Sequence, residues 1–374
     1  MELDVGMWHA GGPAWPVGEP LILLQLRETV ADLMTIERVE VLHPPAQVVR
    51  FRGRLMGDPE RIFQRLLQRF EALGYTPTLA REGTQDLITA HQGVVRPRPA
   101  RTWINALLFV ATILTTLYAG AAQQGVDLLR EPGQWTTGLP FALTLLVILG
   151  THEFGHYFAA RYHRAAVTLP YFIPMPFNFL GTMGAFIQLR SPIKDRKSLF
   201  DIGVAGPLAG LAVAIPLLLY GLSISPVGPI GPGLLEGNSL LYLALKYLVH
   251  GRILPGNGLD VWLDPIAFAA WFGLLVTCFN LLPIGQLDGG HIAYALWGRR
   301  AWTIASLSII MLFALSFLWM GWLTWALLVF FLGLRHPPPL NDLTPLDGKR
   351  RAVGIATVIL FFLVFTPVPL QAIP

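Results

Sequence analysis

The stretch Leu139-Pro-Phe-Ala-Leu-Thr-Leu-Leu-Val-Ile-Leu-Gly-Thr-His152-Glu153-Phe-Gly-His156-Tyr-Phe-Ala-Ala-Arg161 decides how the rest of the chain is read. As a helix it reaches about 35 Å, enough to cross about 30 Å of hydrocarbon. An ionisable group at that depth costs on the order of 2–3 kcal/mol, so three within five residues mark a functional site. Their order, His-Glu-x-x-His, names the chemistry. A spacing of i, i+4 turns a helix by about 400°, which puts both imidazoles on one face, as two ligands of one tetrahedral ion require. Glu153 is too close in sequence to His152 to be an easy third ligand, but lies within reach of a metal-activated water as a general base. With 9 His among 374 residues, chance placement yields the motif about 0.006 times.

Composition agrees with a membrane setting. Hydrophobic residues make up 53% of the chain and charged ones 13%, about half the charge of a soluble globular protein. Of the 50 charged side chains, 24 fall in the first 101 residues, so a soluble part precedes an apolar body. A single cysteine, Cys278, excludes a disulfide framework and a Cys-rich metal site. It reads as a packed apolar residue. The net charge of +4 reads as bases placed for topology, and no basic run interleaved with aromatics makes nucleic acid a partner.

Residues 1–20 are expected to be a flexible N-terminus without a basic signal-peptide region. Residues 21–95 read as a small α/β domain: a helix near 26–34, strands near 36–42 and 48–55, a helix capped by Asp58 with Pro59 at its first position, and two short strands. From 96 to 374 the chain reads as a membrane-embedded body. Runs at 103–123, 139–161, 202–222 and 265–283 are expected spans. The charge-free segment 301–334 is too long for one helix and folds into a hairpin near Gly321, and 353–366 closes a total of six to seven. Arg96, Arg98 and Arg101, Arg161 and Arg164, Lys194, Arg196 and Lys197, Arg299 and Arg300, and Lys349, Arg350 and Arg351 recur on one side. The positive-inside rule makes that side, with the N-terminal domain, cytoplasmic, in an inner or plasma membrane.

A catalytic metal needs a third protein ligand. The fourth span ends Asn280-Leu-Leu-Pro-Ile-Gly-Gln-Leu-Asp288-Gly-Gly-His291, with an acid at a glycine-rich break on the same side as the end of the second span. Asp288 is the expected ligand, and His291 the alternative donor or a support for it. Asp288 also suits a helix cap. Residues 167–190 are apolar but broken by prolines, so they read as a re-entrant hairpin. Its edge, Gly184-Ala185-Phe186-Ile187 and on to Leu189, could pair with an unwound substrate strand. Gly206 and Gly210 give the third span a smooth face towards the catalytic helix, and Asp201 reads as its cap.

The pair His152-Glu-Phe-Gly-His156 and Asn280-Leu-Leu-Pro-Ile-Gly-Gln-Leu-Asp288-Gly-Gly resembles the site-2 protease family of intramembrane zinc metalloproteases over residues 103–350. Gly285 stands where the family often has proline, and no PDZ domain is recognisable, so the chain is more similar to the PDZ-less branch that includes plastid homologues. The resemblance implies one Zn2+ held by His152, His156 and Asp288, with Glu153 as general base. It implies Asn280 helping to hold substrate backbone, and a transmembrane protein in the lipid bilayer as substrate. A membrane metal transporter or an inactive protease-like scaffold is the alternative; scarce intramembrane acids oppose the first, and an intact motif the second.

Overall fold

The computed structural model describes residues 2–4, 21–43, 48–95 and 101–373. They divide into two compact units. The first contains β1 (Glu2–Asp4), α1 (Leu21–Ala31), β2 (Met34–His43), β3 (Val48–Leu55), α2 (Pro59–Ala72), β4 (Tyr75–Glu82) and β5 (Gln85–Gln92). Its sheet runs β1-β2-β3-β5-β4 with antiparallel neighbours. Leu26 and Val30 of α1 and Leu66 and Phe70 of α2 are sealed against Phe51 and Ile88 of the sheet. Asp58 caps α2 by accepting the Arg61 amide at 3.0 Å, with Pro59 opening the helix. Two expectations shift here. The first helix starts five residues and ends three residues earlier than 26–34, because β2 claims the chain from Met34. Glu2–Asp4 adds a strand to β2, while the remainder of 1–20 lies outside the described residues, as do Arg96 and Arg98.

Residues 191–199 and 337–347 also belong to this first unit. Leu79 of β4 donates to the Leu340 carbonyl at 2.7 Å and accepts from the Asp342 amide at 2.8 Å. Leu340 and Asn341 in turn donate to Ile193 and Lys194 at 3.0 and 2.8 Å. Arg196 pairs with Asp342 and Lys197 with Glu60, each at 2.8 Å. Segments that read as plain connections thus extend the edge of the sheet.

The second unit is mainly helical: α3 (Thr102–Gln123), α4 (Leu139–Tyr162), a hairpin of β6 (Tyr171–Pro174) and β7 (Thr182–Phe186), and α5 (Arg196–Ile224) from residue 200 on. Next come β8 (Val227–Pro229), β9 (Gly233–Glu236), α6 (Leu240–His250) and β10 (Leu259–Val261). It ends with α7 (Pro265–Asn280), α8 (Asp288–Trp297), α9 (Arg300–Leu315), α10 (Gly321–Leu332), α11 (Gly348–Val364) and β11 (Leu370–Ile373). Among the described residues three helices, α3, α4 with its preceding turn, and α5, are long and apolar enough to cross a membrane. The pattern on α3 is inverted relative to a soluble helix. Leu107, Val110 and Leu114 are exposed, whereas Asn105, Thr112 and Thr116 are buried. Apolar side chains outside and hydroxyls bonded to their own helix inside suit a lipid solvent.

The hairpin packs on α3: Asn105 donates to the Leu169 and Pro170 carbonyls at 2.8 and 3.0 Å, and Phe109 lies 4.9 Å from Phe172. Its second strand ends at Phe186, short of the expected Leu189, which bridges Val167 instead. The third span starts earlier than residue 202, because Asp195 accepts the Ser198 amide at 2.7 Å and begins the helix at Arg196. Asp201 therefore lies inside α5 and is not its cap. Lys246 of α6 is fully buried and paired with Asp260 at 2.9 Å and Glu236 at 3.1 Å.

Candidate metal centre

Helix α4 brings His152, Glu153 and His156 into the interior, all three buried, while Leu143, Val147 and Phe158 face outward. Asp288, 132 positions beyond His156 in the chain, is the first residue of α8. Leu287 holds the cap position without a side-chain bond, so the Asp288 carboxylate does no capping and is left to face the imidazoles. Donor atoms of His152, His156 and Asp288 all lie within 4.8 Å of one another. His152 Nε2 is 3.2 Å from Asp288 Oδ2, His156 Nε2 is 3.3 Å from Oδ1, and the two Nε2 atoms are 3.2 Å apart.

These separations fit a metal. Ligand atoms about 2.0–2.1 Å from a tetrahedral ion stand about 3.3 Å from each other. The protonation pattern fits too: His156 Nδ1 donates to the Ile202 carbonyl at 2.7 Å, which fixes the tautomer and leaves a lone pair on Nε2. Asp288 Oδ2 is buried with no hydrogen-bond partner of proper geometry. An orphaned carboxylate oxygen beside two imidazole nitrogens is costly to bury unless a cation joins them.

The surrounding helices are shaped to this cluster. A Cβ at Gly206 of α5 would overlap the His156 ring, and one at Gly210 would stand 3.2 Å from His152 Cβ. The smooth face expected on α5 therefore lies directly on the two imidazoles. At Gly289 a Cβ would overlap the Leu281 carbonyl, so glycine next to Asp288 lets the chain double back tightly enough to present the acid. His291 Nδ1 donates to the Leu287 carbonyl at 2.9 Å, and His291 is not among the three clustered donors.

A cavity of about 200 Å³ opens at the cluster. Its walls include Glu153, Asn280, Gln286 and the run Ala185, Phe186 and Ile187. Asn280, the last residue of α7, places Nδ2 3.2 Å from His152 Nε2. Ile187 and Glu153 line the same cavity. Gly184 stands in β7 but does not line the cavity. Two partners of the site were missing from the sequence reading: the Ile202 carbonyl, a backbone group without a residue signature, and Gln286, a lone polar residue between two motif positions.

Two imidazoles and a carboxylate converging between apolar helices, with a second carboxyl one residue from the first histidine, form a candidate metal site with His-Glu-x-x-His spacing. Residues 140–321 match the model of peptidase family M50. The chain is 31% identical over 347 residues to "Probable zinc metalloprotease EGY2, chloroplastic" of Arabidopsis thaliana, covering 86% of this chain and 60% of that protein. It is 32% identical over 370 residues to "Probable zinc metalloprotease EGY1, chloroplastic" of Oryza sativa subsp. japonica, covering 86% and 62%. The chain thus spans about three fifths of the length of these curated relatives. It carries a domain of peptidase family M50, the site-2 protease family.

Proposed function

We propose that the protein is an intramembrane zinc endopeptidase that hydrolyses peptide bonds within or next to transmembrane segments of membrane proteins. The observation that carries this reading is the convergence of His152, His156 and Asp288 beside Glu153, in a cavity walled by an extended strand. The names of the relatives supply the metal, and the donor set suits zinc. Bound there by His152, His156 and Asp288, zinc supplies Lewis-acid polarisation of the scissile carbonyl and acidifies the attacking water.

The remaining chemistry belongs to the chain. Glu153 takes a proton from the attacking water as its oxygen bonds to the carbonyl carbon, then delivers that proton to the amine nitrogen as the carbon–nitrogen bond breaks. The Asn280 side-chain amide holds substrate backbone. A helical substrate buries its carbonyls in its own hydrogen bonds, so it has to be extended before cleavage, and Ala185–Ile187 offers a strand to pair with. Proline at Ala185 should abolish cleavage while zinc content stays at the wild-type value; unchanged cleavage by Ala185→Pro would remove the strand from the mechanism.

The membrane arrangement is part of the proposal. Helices α3, α4, α5, α7, α9, α10 and α11 form the six to seven spans, with α9 and α10 a hairpin. At 16 and 12 residues these two reach only about 24 and 18 Å. Arg101, Lys194, Arg196 and Lys197, and Lys349, Arg350 and Arg351, put the N-terminal domain, 21–95, in the cytoplasm, in an inner or plasma membrane. One preparation tests the function. Purified full-length protein should hold one zinc per chain, cleave peptides with transmembrane sequences in proteoliposomes, and lose cleavage on chelation. Metal flux without cleavage would point to a transporter, and absence of bound metal to a scaffold.

A further inference from the structure

Close behind the metal-binding face lies an ionic knot that the reaction does not touch. Asp201, the sixth residue of α5, accepts Nε of Arg350 at 2.8 Å on Oδ1 and Nη2 at 2.6 Å on Oδ2. His163 Nε2 lies 2.8 Å from the same Oδ2. The knot joins three elements: α5, the first turn of α11, and the residue that caps the C-terminus of α4. A two-pronged guanidinium–carboxylate pair fixes direction as well as distance.

Its placement matters. Ile202, next to Asp201, holds the His156 imidazole through its carbonyl. His163 lies seven residues beyond His156, two turns along the same face of α4. Helix α4 is therefore fastened to two consecutive residues of α5, once by a ligand and once by its own cap. Gly203 and Gly206, one and four positions beyond Ile202, lie so close to His291 and His156 that a Cβ at either would overlap the histidine.

We propose that Asp201, gripped by Arg350 and His163, is a positioning residue for the metal centre: it sets the register of α5 on α4 and so the aim of the His156 imidazole. The proposal rests on the reading of His152, His156 and Asp288 as ligands. Without the knot α5 is free to turn or slide, and the 2.7 Å bond from His156 to Ile202 is the first to stretch. A knot serving stability alone would behave differently, because partly exposed ion pairs add little and act on unfolding rather than on a ligand's aim.

The test uses the full-length protein in detergent micelles, reloaded with Co2+ so that its visible absorption reports the ligand field. Asp201→Asn, His163→Gln, Arg350→Ala and Arg350→Lys are compared with wild type. Asp201→Asn and Arg350→Ala should weaken Co2+ binding about 10–100-fold, the effect of losing an outer partner of a metal ligand, and shift the absorption bands. On a transmembrane peptide they should lower kcat with KM unchanged, and Arg350→Lys should restore part of what Arg350→Ala loses. His163→Gln, at the C-terminal cap of α4, gives the same direction should Asp201→Asn fail to fold. Wild-type Co2+ affinity and spectrum in every folded variant, whatever the thermal midpoint, overturns the proposal and leaves the enzyme reading intact. A wild type that binds neither Zn2+ nor Co2+ overturns both.

Discussion

Glu153→Gln should retain its zinc and lose about 10²–10⁴ in kcat for cleavage of a transmembrane peptide, the range a positioned proton carrier contributes. Glu153 is outside the set of three donors that converge, so replacing it removes no ligand. Glutamine keeps the size and polarity of the side chain in a buried position and removes only its basicity. Metal content measured alongside single-turnover cleavage separates the two effects. A Gln variant that cleaves at the wild-type rate takes Glu153 out of the chemistry, and one that arrives without zinc makes it part of the metal cage.

Gly206→Ala should be as damaging, although it adds one methyl group and no chemistry. In a helix interior alanine is favoured over glycine by about 1 kcal/mol, so on propensity alone the change strengthens α5. The methyl carbon, however, would overlap the Nε2 edge of the His156 ring. That ring has nowhere to retreat while Nδ1 holds the Ile202 carbonyl. The expected outcome is unchanged helix content and zinc affinity lower by about 10–100-fold or more, in line with the loss of a ligand's orientation. Gly210→Ala is the natural control: its methyl would stand 3.2 Å from His152 Cβ, a contact that small movements relieve, so its affinity should fall far less. Equal affinity in wild type and Gly206→Ala would show that α5 does not press on the ligand.

Much of this architecture is legible locally. The bounds of α3 and α4 match their apolar runs to within a residue or two, and the break before Gly321 is where a charge-free run outgrows a bilayer. The two histidines share a face because helical periodicity leaves no other choice. What escaped the reading depends on partners far apart in the chain. Arg350 looks like one of three topology-setting bases, yet its partner Asp201 is 149 positions away. Arg196 and Asp342 are 146 apart. Asp201 and Asp195 both precede an apolar run, and nothing in composition distinguishes a cap from an anchor inside the helix until Ser198 and Arg350 choose between them. Lys246 is likewise defined by its partners: the Glu236 and Asp260 carboxylates hold it wholly in the interior.

The backbone bonds that stitch Leu79 to Leu340 and Asp342 make the amino-terminal portion something other than a removable accessory. Cutting the gene so that translation begins just before α3 would leave the Leu340 carbonyl and the Asp342 amide without their mates on Leu79, and Lys197 without Glu60, while Arg196 keeps only Asp342 on an equally loosened stretch. A shortened enzyme that proved sluggish would then be reporting two frayed connectors, and a separate recognition role for the deleted portion would have to be sought with point substitutions on its outer surface.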